Sequence, residues 1–334
     1  LSENHDLPHM FTEDMIIKAP SPNIMNKLAR SVLALYSYDE LAEDMSLENI
    51  VRQSIELIAR VSTIMVNAYQ VKKRYYDHES LFFHSPIDGM SFSENILSTL
   101  RFDRQFTREE AKLLDICLIL HAEHGGGNNS TFACRVLSSS GTDTYAAISA
   151  AIGGLKGPRH GGANIKVMQM LEGMKTAIRD SGDDEEITAY LKKLIAGEAG
   201  DRSGKIYGLG HAVYTMSDPR AVVIKKYAAA LARDKGRADD LELMERVEEL
   251  GIRKIMTRKH QLIPMCANVD LYSGLIYSML DIPEDMYTPL FATARIAGWC
   301  AHRLEELATG NRIMRPAYRA MLMKVPYIPV EARE

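Results

Sequence analysis

The sequence has 334 residues, 46% of them hydrophobic, which is enough to fill the core of two domains or of one large domain with an insertion. The formal net charge of −4 at pH 7 provides no global positive field, so we predict no nucleic-acid partner. The longest unbroken apolar run, residues 227–232, is far too short to cross a bilayer, and no membrane partner is predicted.

The cysteines and the first residues indicate where the protein resides and how it begins. The cysteines are far apart and form no C-x-x-C pair; they are Cys117, Cys134, Cys266 and Cys300. This spacing favours buried free thiols in a reducing compartment, so we expect a cytoplasmic protein. Residue 1 is Leu, with no basic and apolar leader after it, and we expect some N-terminal residues to be missing.

Most of the chain has the apolar periodicity of helices. Proline is absent from 23–85, 87–157 and 220–263, and apolar residues recur there at helical spacing. One such series is Ile50, Val51, Ile55, Ile58, Val61 and Met65. Alternating β-branched runs bounded by turn residues are nearly missing. The pattern predicts a mainly α fold and not a doubly wound sheet or a β-sandwich.

Three breaks interrupt the helical pattern, and each carries a titratable residue. The breaks are residues 153–162, 204–211 and 263–270, with His160, His211 and Asp270 at or near their ends. The first is rich in Gly and Pro and precedes an apolar helical face formed by Val167, Met168, Leu171 and Met174. We therefore place His160 near a helix N-terminus.

Three other short motifs suggest functions that the surrounding sequence does not support. His121 and His124 share a helix face, but the H-E-x-x-H order and a third ligand are absent, so we predict no metal. Residues 124–127 mimic the oxyanion-hole motif of lipases, but no G-x-S-x-G nucleophile elbow accompanies them. Residues 208–210 begin like a dinucleotide-binding fingerprint, but His211 breaks it and no βαβ pattern surrounds it.

The remaining motifs follow one another in a specific order. They are HAEHGGGN at 121–128, GPRHGGAN at 157–164, GLGHAVY at 208–214, DPR at 218–220, NVDLYSG at 268–274, FATAR at 291–295 and RP at 315–316. Together, and in this order, they resemble the citrate synthase family, which includes the 2-methylcitrate synthases. The resemblance covers about the last two-thirds of the chain, and the first third carries no motif that we can match.

The resemblance implies a fold and a division into domains. The fold is the mainly α citrate synthase fold, with the active site in a cleft between two helical domains. The large domain is expected at 1–162 and 281–334, and the small one at 163–280. A cleft between two domains can close on oxaloacetate and exclude water before a reactive enolate forms.

The resemblance also implies an activity: condensation of acetyl-CoA with oxaloacetate and water to give citrate and CoA, through an enolate and a citryl-CoA intermediate. A thioester is a weak carbon acid, so this reaction needs a positioned base and donors for the enolate oxygen. Asp270 is expected to be the base, His160 to donate to the thioester carbonyl, and His211 to polarise the ketone of oxaloacetate. Acetyl-CoA is a substrate, and no cofactor is expected.

Substrate-binding residues follow from the same resemblance. The residues that match oxaloacetate ligands are His124, Arg220, Arg295 and Arg315. Arginine forks suit carboxylates, and Arg315 is expected to enter the site of a neighbouring subunit, in a homodimer or a higher homo-oligomer. The expected CoA-binding residues are Lys205, Gly208, Gly210, Arg258 and Lys259; the last two belong to a basic run, 253–259, that is alternatively a solvated helix face. Asn128 and Asn164 are expected to stabilise loops rather than to act in catalysis.

One departure from the family pattern and two alternative functions remain. Many members have Pro directly before Asn-Val-Asp, whereas here Ala267 precedes Asn268. One alternative is 2-methylcitrate synthase acting on propionyl-CoA, because one extra methylene shifts discrimination by only about 1–3 kcal/mol. The other is a non-catalytic relative that binds CoA or a dicarboxylate, against which the complete His160, His211 and Asp270 set argues.

Overall fold

The computed structural model describes residues 1, 3–211, 214–259, 265–310, 312–317, 319, 321, 323 and 325–333, and leaves the side chains of Arg258 and Lys259 undescribed. Twelve α-helices occur in these ranges. They are α1 (Ile24–Ala34), α2 (Leu47–Tyr76), α3 (Phe92–Leu100), α4 (Arg108–His121), α5 (Asn129–Ser138), α6 (Thr144–Lys156), α7 (Ala163–Ala177), α8 (Asp184–Ala196), α9 (Pro219–Asp234), α10 (Ala238–Lys259), α11 (Asp270–Met279) and α12 (Tyr287–Thr309). Within the described ranges the only strand-like pairing is an isolated bridge between Leu209 and Ala267, so the prediction of a mainly α fold is confirmed.

Local sequence determines where several helices begin and end. Capping boxes begin α3 and α4, in which Ser91 pairs with Glu94 and Thr107 with Glu110. Asp218 caps α9, whose first residue is Pro219. Proline suits this position because the N–H of the first helical residue would have no acceptor within the helix. Gly197 ends α8 in the left-handed region at a φ of 77°.

One group of helices packs around α2 and α12. The 30-residue α2 contacts α1, α3 and α12, while α12 also contacts α4, α5 and α6. Trp299, on α12, is completely buried in this core. The predicted helical period of α2 is correct, although Val51 and Ile55 are each 41% exposed while Ile50, Val61 and Met65 are buried.

The helices α7 to α11 pack mainly against one another, through the pairs α7 with α11, α8 with α10, and α9 with both α10 and α11. The predicted apolar face of α7 is buried at Val167, Leu171 and Met174. This group meets the first where α9 contacts α4. There Lys235, just after α9, binds the buried carboxylate of Glu110 at 2.7 Å.

All four cysteines are buried and free, which confirms the prediction of free thiols. Burial raises the pKa of the Cys300 thiol to about 12, so this side chain stays protonated and unreactive at neutral pH. None of the helices in the described part of the chain is both long and apolar enough to cross a membrane.

Candidate active site

His160 lies in the turn just before α7, near a helix N-terminus as predicted. Its Nε2 atom is 3.0 Å from Oδ1 of Asn128 and 3.1 Å from Oγ of Ser130, both at the start of α5. Burial, and then the positive charge of Arg295, lower the pKa of the His160 ring. The imidazole is therefore neutral at pH 7 and carries a single N–H.

His124 and His211 come together from opposite sides of the site. Their rings are stacked at a centroid distance of 5.0 Å and their Nε2 atoms are 3.1 Å apart. The backbone N–H of Tyr214 donates to Nδ1 of His211 at 3.1 Å, so a neutral His211 carries its proton on Nε2. Burial, and then Arg220, lower the pKa of His211, which favours this neutral form.

Asp270 is the first residue of α11, and its approach is fixed by Asn268. Asn268 accepts the backbone N–H of Asp270 at 3.0 Å and donates from its Nδ2 atom to the carbonyl of Gly210 at 2.9 Å. Further backbone bonds join Asn268 to Gly208 and Gly210 to Cys266. Burial raises the pKa of Asp270 to about 6, so the carboxylate is ionised but basic at neutral pH.

Arg220 is oriented by the carboxylate that caps its own helix. Asp218 is almost fully buried and receives Nε of Arg220 at 3.0 Å and Nη2 at 2.8 Å. Although burial raises the pKa of Asp218, its hydrogen bonds with Arg220 lower it overall, so the pair is ionic. Nη2 of Arg220 also lies 3.2 Å from Nε2 of His211, so the guanidinium lies beside the histidine pair.

Arg295 is completely buried on α12 and incompletely paired. Its Nε donates to the carbonyl of His121 at 2.5 Å, and its guanidinium lies 4.7 Å from the ring centroid of Phe291. Nη1 and Nη2 find no hydrogen-bond acceptor within the described ranges. Burial lowers the pKa of Arg295 to about 10, so the group remains a cation at neutral pH.

The charge of Arg295 connects these residues into one site. It lowers the pKa values of His124, His160 and Asp270, so all three lie within its electrostatic reach. Arg220 acts on His124 and Asp270 in the same way. The structure therefore brings together His124, His160, His211, Arg220, Asp270 and Arg295, which the motifs placed up to 171 positions apart in the chain.

A cavity of about 740 Å³ adjoins this cluster and includes His160 in its wall. Lys205, Gly208 and Gly210 line it, as do two cations that the sequence did not single out, Arg159 and Lys166. A side chain at Gly208 would collide with Leu271, and its φ of 82° also favours glycine. The proposed CoA ligands Arg258 and Lys259 have side chains outside the described set.

The structure places three other residues away from the cluster or in supporting positions. Arg315 is exposed, and the preceding Met314 donates its N–H to Ser139, just past the C-terminal end of α5. His160 contacts the other end of this ten-residue helix, so about 15 Å of helix separates the two regions.

His121 is buried against Phe291 and does not lie beside His211 as His124 does. Asn164 is buried at the start of α7 and accepts the N–H of Ile165.

Sequence reasoning missed several supporting residues. Ser130 contacts His160, Asp218 orients Arg220, and Lys166 lines the cavity. Asp218 belongs to the DPR motif, which was matched without a role for this residue, and Ser130 and Lys166 lie within two residues of a motif, so proximity in the chain was the available signal. His302 contacts Glu123 across 179 positions and had no such signal.

Comparison with known proteins identifies the family. A sequence model described as "Citrate synthase, C-terminal domain" matches residues 1–317. The chain belongs to the citrate synthase family. The match extends over the first 120 residues, where we recognised no motif, and so the family assignment covers nearly the whole chain.

Individual citrate synthases agree with this assignment. That of Synechocystis sp. is 38% identical over 262 residues, which are 78% of this chain and 59% of that protein. That of Deinococcus radiodurans is 36% identical over 292 residues, which are 87% of this chain and 71% of that protein. The chain thus spans 59% and 71% of the length of these two relatives.

Solved structures of citrate synthases have the same fold. That from Pyrobaculum aerophilum has a TM-score of 0.79 and 29% identity, and covers 99% of this chain and 79% of its own. That from Thermoplasma acidophilum, solved as a ternary complex with carboxymethyl coenzyme A and oxaloacetate, has a TM-score of 0.79 and 26% identity, over 99% of this chain and 82% of its own. The predicted citrate synthase fold is therefore confirmed.

Proposed function

We propose that the protein is a citrate synthase, an acyltransferase that condenses acetyl-CoA with oxaloacetate and water to give citrate and CoA. The observation that carries the proposal is the incompletely paired Arg295. A buried guanidinium whose two terminal nitrogens lack acceptors is unfavourable, and a carboxylate matches these nitrogens in a bidentate geometry. Arg220 supplies a second cation close by, as a dicarboxylate such as oxaloacetate requires.

The proposed chemistry assigns one task to each central side chain. Asp270 removes a proton from the methyl carbon of acetyl-CoA, and the N–H of neutral His160 stabilises the enolate oxygen that forms. The enolate carbon then attacks the ketone carbon of oxaloacetate, while Nε2–H of His211 donates to the ketone oxygen. The new carbon–carbon bond gives a citryl-CoA thioester, which water hydrolyses to citrate and free CoA.

The raised pKa of Asp270 supports its role as the base. A carboxylate with a pKa of about 6 is a stronger base than an ordinary aspartate and is still ionised at pH 7. The three histidines complement it, because their lowered pKa values keep them neutral under the same conditions. A neutral imidazole donates a hydrogen bond without adding a charge that would hold the carboxylate in its weakly basic state.

CoA is proposed to occupy the cavity beside His160. Lys205 and the backbone of Gly208 and Gly210 line it, and the added cations Arg159 and Lys166 suit phosphate groups. Its position next to His160 supports delivery of the thioester to the site. We retain Arg258 and Lys259 as proposed ligands from the sequence resemblance alone.

The proposal includes assembly, domains and location. We propose a homodimer or higher homo-oligomer in which Arg315 reaches a neighbouring active site, consistent with its exposure after α12. The domain division at 1–162 with 281–334, and at 163–280, is supported by the mutual packing of α7 to α11. Four buried free thiols support a reducing compartment, and we propose the cytoplasm.

Steady-state release of free thiol tests the function on the full-length protein. We expect release from acetyl-CoA that depends on oxaloacetate, with a kcat/KM above that for propionyl-CoA. A higher kcat/KM with propionyl-CoA would instead indicate a 2-methylcitrate synthase. Binding of oxaloacetate without thiol release from either thioester would indicate a non-catalytic relative.

A further inference from the structure

One stripe of α12 holds the segment that carries His124. The stripe consists of Arg295, Gly298, His302 and Glu306, whose spacings of three and four residues place them on one helix face. The segment is residues 121–126, which run from the last residue of α4 into the glycine-rich loop. The stripe and the segment run in the same direction, so successive residues of the stripe contact successive residues of the segment.

The first half of the stripe holds the backbone at the end of α4. Arg295 donates to the carbonyl of His121 at 2.5 Å. Gly298 allows the next turn to approach closely, because a Cβ atom there would lie only 2.3 Å from the carbonyl oxygen of Ala122 and from Oε2 of Glu123. Substitution at Gly298 would therefore push the segment off the helix.

The second half of the stripe holds the residues on either side of His124. Nε2 of His302 lies 2.8 Å from Oε1 of Glu123, and because a carboxylate only accepts, Nε2 carries the proton. The same carboxylate oxygen accepts the backbone N–H of Gly125. Glu306 binds Nε of Arg135, whose Nη1 donates to the carbonyl of Gly126 at 3.2 Å.

We propose that His302 is a positioning residue for oxaloacetate binding, acting through Glu123 on the orientation of His124. His124 lies between Glu123 and Gly125, and both are fixed by the carboxylate that His302 holds. The inference rests on the proposed function, because it assumes that the His124 and His211 pair faces oxaloacetate. It adds a residue that is not among the proposed substrate ligands and that no motif indicated.

The exposure of Glu123 distinguishes a role in positioning His124 from a role in stabilising the fold. The side chain of Glu123 is 47% exposed, so its bond with His302 contributes little to the free energy of unfolding. A displacement of a binding group by about 1 Å, in contrast, lowers binding and turnover by an order of magnitude or more. Loss of this bond should therefore weaken oxaloacetate binding far more than it weakens the fold, whereas His302→Ala also removes the packing of a side chain that is only 17% exposed.

The test is calorimetric titration of the full-length protein with oxaloacetate and, separately, with CoA. We expect His302→Ala to weaken oxaloacetate binding roughly tenfold and CoA binding less than about twofold. His302→Gln keeps an N–H donor and should restore most of the oxaloacetate affinity. Glu305→Gln, beside Nδ1 of His302 at 3.5 Å, is the matched control and should bind like wild type.

A double-mutant cycle checks the route through Glu123. Glu123→Ala should cause the same loss of oxaloacetate affinity, and combining it with His302→Ala should add almost nothing. Unchanged oxaloacetate affinity in His302→Ala would overturn the proposal. So would an equal loss for both ligands, with a large fall in melting temperature and no rescue by Gln, because that is the signature of a structural role.

Calorimetry also separates this inference from the proposed function. Wild-type protein that binds oxaloacetate but releases no thiol would contradict the proposed function alone. An active wild type whose affinity for oxaloacetate survives His302→Ala would contradict the inference alone.

Discussion

The Nε2 atoms of His124 and His211 face each other at 3.1 Å, and their ring planes differ by only 11°. Nδ1 of His211 accepts the N–H of Tyr214, so the proton of a neutral His211 lies on Nε2, where Nε2 of His124 is the acceptor at 3.1 Å. Neither ring is charged at neutral pH, because burial lowers both pKa values. The pair therefore carries a hydrogen-bond donor without a fixed positive charge.

Asp270→Asn should abolish condensation and leave oxaloacetate binding nearly intact, because the base acts on the acyl-CoA and not on the keto acid. Calorimetric titration with oxaloacetate and thiol release measure the two effects separately. The matched control is Asp281→Asn, an exposed site just after α11 with a φ of 55°, which asparagine adopts readily. Loss of oxaloacetate binding in Asp270→Asn would assign Asp270 a substrate-orienting role instead.

The same substitution should stabilise the fold, and more so at neutral than at acidic pH. The folded pKa of Asp270 is about 6, above its usual value of 3.8, so the folded state binds more protons between these values. Stability is therefore lost as the pH rises from about 4 to 6, and the deficit is full above pH 6. Thermal unfolding of both proteins at pH 4 and pH 7.5 should show a larger gain for Asp270→Asn at pH 7.5. An equal gain at both pH values would mean that ionisation of Asp270 does not oppose folding.

Arg295→Met should remove the stabilisation that oxaloacetate gives to the protein. A ligand present at 100 times its Kd stabilises the folded state by about 2.7 kcal/mol, and this gain disappears once the carboxylate loses its bidentate partner. Melting temperatures with and without oxaloacetate provide the measurement. Arg253→Met, on the exposed face of α10, should keep the full ligand-induced shift. A normal shift in Arg295→Met would remove Arg295 from the oxaloacetate site.

Glu110→Gln should destabilise the protein by about 3–5 kcal/mol, because it leaves two cations facing a neutral partner in a buried position. Arg101 and Lys235 bind this carboxylate at 2.8 and 2.7 Å. Glutamine still supports the capping box of α4, so the variant isolates the charge. Urea unfolding measures the loss, and Glu109→Gln, the exposed neighbour, should stay within about 0.5 kcal/mol of wild type.

The loss in Glu110→Gln should depend on pH with a defined sign. Burial alone raises the pKa of Glu110, but Arg101 and Lys235 lower it to about 2 overall. The stability that the carboxylate contributes is thus complete above about pH 4.5 and is lost as the pH falls towards 2. The difference between the variant and wild type should shrink over that interval, and a constant difference would contradict the assignment to charge.

Arg315 can be tested by subunit complementation. Homodimers of Arg315→Leu should bind oxaloacetate poorly, and those of Asp270→Asn should be inactive. If Arg315 serves the neighbouring site, exchanging subunits between the two variants restores one site in each mixed dimer, and activity approaches roughly a quarter of native turnover per site. Mixed dimers confirmed by mass but without activity would mean that Arg315 serves its own subunit.

The residues that sequence reasoning located are those that lie in contiguous motifs. His160, His211 and Asp270 each lie at or near the end of a loop break, and Arg220 and Arg295 occupy motif positions on α9 and α12. Contacts made by helix faces across long separations were not predictable in this way, because periodicity shows which face is buried but not what it meets. His302 and Glu123 are one such pair, and Lys235 and Glu110 are another.

The departure at Ala267 also has a structural explanation. Ala267 forms the isolated bridge with Leu209, and its neighbours Cys266 and Asn268 exchange backbone bonds with Gly210 and Gly208. The approach to Asp270 is therefore fixed by pairing with the 208–210 loop, and it does not need the rigidity of a proline directly before Asn268. The family motif predicted the position of Asp270, whereas this pairing between distant loops was visible only in the structure.

Asn268 connects the cavity wall to the start of α11 through a single side chain. One amide side chain binds the backbone of Gly210, on the cavity wall, and the backbone of Asp270, at the start of α11. A displacement of the cavity wall at Gly210 would therefore be passed through Asn268 to the backbone N–H of Asp270, three covalent bonds from the carboxylate carbon. Energy gained from the long, unreactive end of a thioester can in this way be used to align its short, reactive end. We therefore expect thioesters without that long end to lose rate as well as affinity.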